Sequence, residues 1–174
     1  MSTSATARKS INDAFLGEIQ HEAATTRTIL ERIPADKFEY KPHEKSMTFS
    51  RLAVHVAEMF SWITMTMKTD ELDFATAEFP PFEPTSNEEL IEFFDKTIAE
   101  ATEILENSTD EAFMESWTMK NGEKTYFTMP KIAVIRTFCL NHIYHHRGQL
   151  SVYLRLNDIP VPSIYGPSAD EGEM

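Results

Sequence analysis

Basic residues are scarce in this chain: 16 Lys and Arg stand against 28 Asp and Glu, a formal charge of -12. A surface that negative repels phosphate backbones, and no basic stripe relieves it, so nucleic acid is excluded as a partner. Cysteine is almost absent. The single Cys139 excludes an internal disulfide and fits a reducing compartment. No apolar run approaches the length that spans a bilayer, which argues against a membrane partner. Residues 1–10 are rich in Ser, Thr and Ala and lack the apolar core of a signal peptide, so the sequence reads as cytoplasmic. Glycine is sparse too, five in all with the first at Gly17, and most of the chain is thereby free to be helix.

What is present fits one soluble domain. The 174 residues, 41% hydrophobic and 25% charged, suffice for a sizeable core, and we read 1–174 as a single domain. Residues 1–10 read as a flexible N-terminus and 157–174, with three prolines, as an extended tail. Helical periodicity runs over residues 11–33, where Pro34 stops it. A second helix is predicted from a cap at Thr48 or Ser50 to about Lys68. Residues 69–85 carry Pro80, Pro81 and Pro84 and read as a long irregular connection. Ser86 and Glu89 have the spacing of a capping box for a third helix ending near Glu106. Asn121-Gly122, flanked by strand-forming residues over 116–128, predicts a hairpin with a type I′ turn. The last helix is predicted over 131–156. The expected fold is therefore all-α, a four-helix bundle with a small hairpin insertion before the last helix.

The last helix holds half of the six histidines. His142 and His146 are four residues apart, which stacks them on one helical face about one turn apart. Two imidazoles so placed can grip one transition metal, although the Glu of the HExxH pattern is absent. Their competing role is as hydrogen-bonded polar groups of a core. His55, on the second amphipathic segment, is the candidate third ligand, and three histidines match an open zinc site that water completes. His145 is rotated about 100° from His146 and reads as a surface residue or one supporting a ligand. His21 and His43 lie in polar surroundings and read as exposed. Cys139 shares the face of the pair and can ligate, or can be a small buried hydrophobe. Gln149 can hydrogen-bond a ligand or a bound water, and Glu58 can be a base, a fourth ligand or a solvated carboxylate. Gly148, costly within a helix, predicts close approach of a neighbouring helix. Trp62, Phe93, Phe94 and Phe138 have core spacing.

The run His142-Ile-Tyr-His-His-Arg-Gly-Gln-Leu150, then Tyr153-Leu-Arg155 and Val161-Pro162 with Tyr165-Gly-Pro-Ser-Ala-Asp170, resembles the C-terminal signature of the DinB/YfiT-like metalloprotein superfamily. Tyr40-Lys-Pro42, Ser46-Met-Thr-Phe-Ser50 and Leu52-Ala-Val-His55 resemble its earlier landmarks, so the likeness runs from about residue 10 to 170. The resemblance implies a bundle with up-down-down-up connectivity and a metal-binding triad at His55, His142 and His146. It also implies a divalent metal, often Zn²⁺ or Ni²⁺, and a homodimer. Relatives of this kind resemble transferases and isomerases that use low-molecular-weight thiols. The resemblance does not hand over a substrate.

Two readings of function follow. In the first the protein is a metal-dependent enzyme that activates water or a low-molecular-weight thiol for transfer to, or hydrolysis of, a small-molecule substrate. Arg147 and Arg155 could then meet the anionic groups of the thiol, or could instead solvate the helix or anchor the acidic tail. In the second the protein is a non-catalytic metal or small-ligand binding protein of the stress-response kind, and a fourth protein ligand would favour it. A third possibility leaves the histidines as core polar groups of an interaction module.

Overall fold

Ser10 starts the first helix: its hydroxyl accepts from the Asp13 amide, and the Asp13 carboxylate accepts from the Ser10 amide, a reciprocal cap. The computed structural model describes residues 10–172, so the expected flexible terminus, Ser10 apart, lies outside the described residues. Helix α1 is Ile11–Leu30 and stops three residues before the predicted end. Ahead of Pro34 the chain tightens, with Arg32 and Ile33 amides bonding three residues back to Ile29 and Leu30. Asn87 then donates to the carbonyls of Leu30 and Ile33 at 2.8 Å each. After a 3₁₀ turn at Ala35–Lys37, α2 spans Phe49–Lys68 from an N-cap at Thr48, whose hydroxyl accepts from the Arg51 amide.

The all-α expectation needs correction at the next element. Residues Glu71–Asp73, inside the connection expected to be irregular, form a strand, β1. Helix α3 follows at Asn87–Glu106. Ser86 caps it as predicted, accepting from the Glu89 amide, but Glu89 reaches one residue further back and accepts from the Thr85 amide and hydroxyl. A short α4, Asp110–Met114, stands on a Thr109 cap. The hairpin is β2, Ser116–Asn121, and β3, Lys124–Pro130. Its turn departs from the type I′ expectation: Gly122 has φ 57, while Asn121 and Glu123 keep negative φ. Glycine alone at the first central position is the type II′ arrangement.

Strand β1 pairs parallel with β2, setting Glu71 beside Thr118, Leu72 beside Met119 and Asp73 beside Lys120. The result is a three-stranded sheet, β1-β2-β3, on a mostly helical chain. The sheet has its own apolar cluster of Leu72, Trp117, Met119 and Val134. Trp62 and Phe138 pack against both this cluster and the main helical core, joining the two.

The last helical stretch has three parts: α5 at Lys131–Val134, a π-helical segment at Ile135–Leu140, and α6 at Asn141–Leu156. Helix α6 ends in a Schellman cap. The Ile159 amide bonds Leu154, the Asp158 amide bonds Arg155, and Asp158 takes the left-handed conformation at φ 57. Residues 157–172 contain no helix or strand and are tied down by Arg155 to Asp170 at 2.5 and 3.2 Å and by an Arg32–Glu171 ion pair. Helix α2 packs on α3 and α6, and α1 packs on α3 and α6. That arrangement sets His55 of α2 across from His142 and His146 of α6. No helix among the described residues is long and apolar enough to cross a membrane.

Candidate metal centre

The helical spacing of His142 and His146 brings their rings to a 4.6 Å centroid separation, and α2 carries His55 to 5.0 Å from the first and 4.7 Å from the second. One nitrogen from each of the three lies within 4.8 Å of the others, and all three residues are half-buried. The Nε2 atoms of His55 and His142 face each other at 3.3 Å.

The nitrogens turned away from the cluster have their own partners. His55 Nδ1 is 3.5 Å from Glu58 Oε2, and Arg51 holds the same carboxylate oxygen at 3.0 Å. His146 Nδ1 is 2.7 Å from Gln149 Oε1, and the Gln149 amide nitrogen reaches back to His145 Nε2 at 3.2 Å. His142 bonds the backbone carbonyl of Phe138, which lies in the π-helical segment. The Glu58 carboxylate and the Gln149 amide oxygen favour a proton on Nδ1 of His55 and of His146, which leaves Nε2 of each ring free as a ligand atom.

The arrangement suits a cation. The His55 and His142 nitrogens stand 3.3 Å apart, and two imidazole nitrogens bound to one tetrahedral zinc stand roughly 3.3 Å apart, given Zn–N of about 2.0–2.1 Å. The outer carboxylate, carbonyl and amide oxygens match the partners that orient metal-binding histidines. The electrostatics agree. Burial, then the neighbouring imidazoles, push the His142 pKa down to about 4. Burial lowers that of His146 as well, against the opposing bond to Gln149. Both rings are therefore neutral at pH 7, the form that ligates metals. Burial raises the Glu58 carboxyl, but the bond to His55 and the charge of Arg51 outweigh it and hold the group below its usual range, ionised as a bond acceptor.

The remaining sequence candidates fall in distinct places. Cys139 is fully buried in the main core, outside the histidine cluster. His145 is exposed and supports Gln149; His21 and His43 are exposed. Trp62, Phe93 and Phe138 are only partly buried, unlike Phe94. Gly148 is not explained by close packing, because a Cβ placed there meets nothing within 4 Å. Arg147 is not at a cavity mouth. It is 1% exposed and paired with Glu22 at 2.7 Å, and it also bonds Thr26 and Tyr165. Arg155 anchors the acidic tail. Sequence reasoning missed Arg51, seven residues and two helical turns before Glu58, the one signal that could have flagged it.

Two cavities reach the triad from different sides. One, of about 520 Å³, is lined by His55, Glu58, Arg51 and a set of aromatic and proline residues. The other, of about 360 Å³, is lined by His146, Gln149, Tyr153 and Lys45 among others.

Fold and triad together define a class: mostly helical proteins with a candidate three-histidine metal site between two helices. The family model of the DinB family matches residues 1–173, and the chain belongs to that family. It is 29% identical over 163 residues to the uncharacterized protein YrdA of Bacillus subtilis (strain 168), covering 91% of this chain and 90% of that protein. Among solved structures it is similar to a DinB-like protein from Bacillus cereus ATCC 10987, with a TM-score of 0.70, 23% identity, and coverage of 90% of this chain and 98% of the other. The DinB-like protein YjoA of Bacillus subtilis aligns with a TM-score of 0.67 and 21% identity over 86% and 95% of the two chains. At those identities the structural likeness speaks to the fold.

Proposed function

We propose that the protein is a metal-dependent enzyme in which His55, His142 and His146 hold one divalent transition metal, Zn²⁺ or Ni²⁺, beside a small-molecule binding cavity. The observation that carries this reading is the convergence of one ring nitrogen from each of three histidines, with the outer nitrogens of His55 and His146 already engaged by Glu58 and Gln149. A divalent ion bound there supplies Lewis acidity that lowers the pKa of an adjacent water or thiol to near neutrality. Glu58 and Gln149 fix the orientation of His55 and His146, and Arg51 keeps Glu58 ionised. Among the described residues no fourth Cys, His, Asp or Glu joins the cluster, which supports an open site over a closed structural one.

The reaction class we favour is transfer of a low-molecular-weight thiol. The thiol gives up its proton to solvent, its sulfur forms a bond to an electrophilic carbon, and the leaving group departs with the electron pair. Hydrolysis, with water in the place of the thiol, is the second choice. We assign no side chain as general base. The four longest helices, α1, α2, α3 and α6, form a single-domain bundle with up-down-down-up connectivity in this proposal, and the protein acts as a cytoplasmic homodimer.

The test is metal content. Protein purified without an affinity metal column should hold about one divalent ion per chain, and His55→Ala, His142→Ala and His146→Ala should each lose it while keeping their helical circular dichroism. Native protein that takes up no Zn²⁺, Ni²⁺ or Co²⁺ on reconstitution would overturn the proposal.

A further inference from the structure

The larger cavity has walls whose chemistry narrows what it can hold. Trp62 and Phe79 stack with their planes 8° apart and their centroids at 6.1 Å. Phe82 and Phe93 form a tighter pair at 4.4 Å and 26°. Phe79 is 51% exposed, so a large apolar ring stands open to solvent at the cavity wall. Pro80 and Pro81 stand between the two pairs in sequence, and their fixed φ angles hold the wall in place before anything binds. The cavity volume, about 520 Å³, is that of a small-molecule site.

Charge on the lining is lopsided. Its one cation, Arg51, is engaged by Glu58, which leaves Glu83 without a cation among the lining residues. In the metal-free protein, one positive and two negative groups, on a chain of net charge -12, work against an anion. The aromatic faces, by contrast, accept either a neutral ring or an organic cation.

We propose that this cavity seats a non-anionic aromatic substrate, neutral or cationic, packed on the Trp62–Phe79 and Phe82–Phe93 pairs with its other end at His55. The assignment names the substrate class for the proposed metal site and rests on that reading for its catalytic meaning. Occupancy of the cavity does not require the metal, which separates the two claims experimentally.

Three probes sharing one ring system test it by isothermal titration calorimetry: naphthylmethanol, naphthylmethylammonium and naphthoate, each added to the full-length protein with and without reconstituted Co²⁺. The alcohol and the ammonium should bind, with naphthoate weaker by about tenfold or more in the metal-free protein. Phe79→Ala and Phe93→Ala should each weaken the alcohol by about tenfold, whereas Val152→Ala, on the other cavity, should leave it unchanged. Phe79 is half-exposed, so its variant keeps the fold even if Phe93→Ala does not. Naphthoate binding the metal-free protein as tightly as the alcohol, or Phe79→Ala binding like the native protein, overturns the proposal. Aromatic binding without any Co²⁺ uptake supports the cavity assignment and sinks the metal reading, and Co²⁺ uptake without aromatic binding does the reverse.

Discussion

His55 Nε2 and His142 Nε2 face each other at 3.3 Å, while the other ring nitrogen of His55 stands 3.5 Å from a Glu58 carboxylate oxygen. The third imidazole, His146, closes over the pair with its centroid 4.7 Å from that of His55. The relation between the rings thus depends on residues that never touch the metal position, and the first prediction follows from that dependence.

Glu58→Gln preserves the shape of the side chain and removes its charge. The His55 ring then loses the carboxylate that holds its tautomer, and metal affinity should fall by about 10- to 100-fold. Thermal unfolding of the metal-free protein should change little, since Glu58 lies at the edge of an open cavity. A competition titration with a chromophoric chelator measures the affinity. Unchanged affinity would show that Glu58 does not orient His55.

Cys139 should be inert. Burial pushes its thiol pKa up to about 12, so at pH 8 essentially none of it is thiolate, and the thiolate is the reacting form. A chromogenic disulfide reagent should leave native protein unmodified at pH 8 and titrate one thiol per chain after denaturation. Cys139→Ser should keep the full metal stoichiometry. Rapid modification of the folded protein, or loss of metal in the serine variant, would restore Cys139 as a candidate ligand.

The triad is legible in the sequence because an i, i+4 pair is set by helix geometry alone, and His55 lies in a segment whose apolar periodicity already points it inward. The partners of those histidines are legible only in part. Glu58 and Gln149 are three residues from His55 and His146, so local spacing flags them. The Phe138 carbonyl is backbone and leaves no trace in residue type. The strand at Glu71–Asp73 escapes because three residues are too few for a periodic signal, and its partner is a distant strand rather than a hairpin neighbour. Arg147 eludes the sequence for a different reason. Arginine is seldom fully buried, and only the fold brings Glu22, Thr26 and Tyr165 around it.

Gly148 makes a sharper test of the helix itself. An added methyl there has no neighbour within 4 Å, and the backbone φ is not positive, so Gly148→Ala meets no obstacle. Removing the conformational freedom of glycine inside α6 should stabilise the protein by about 0.5–1 kcal/mol. Chemical denaturation gives the value. A destabilised variant would mean that another surface closes on this position, which the exposed setting of Gly148 does not show.

Arg147 and Glu22 decide how the C-terminal tail is held. The Arg147 residue is 1% exposed and Glu22 5%, and the pair is completed by Thr26 and by the hydroxyl of Tyr165, which also donates to Glu22 at 2.7 Å. Arg147→Ala strands the Glu22 carboxylate in the core, and loss of one partner of a buried pair costs about 3–5 kcal/mol. The double variant Glu22→Leu, Arg147→Met removes both charges and should recover most of that loss, because an apolar pair of similar volume carries no desolvation penalty. Denaturant midpoints of the native, single and double variants measure the cycle. A role in gripping an anionic thiol predicts a different pattern: Arg147→Ala would fold with near-native stability and fail only in substrate binding. Burial on all sides argues for the first pattern, with Tyr165→Phe weakening the same cluster by about 1 kcal/mol through its lost bond to Glu22.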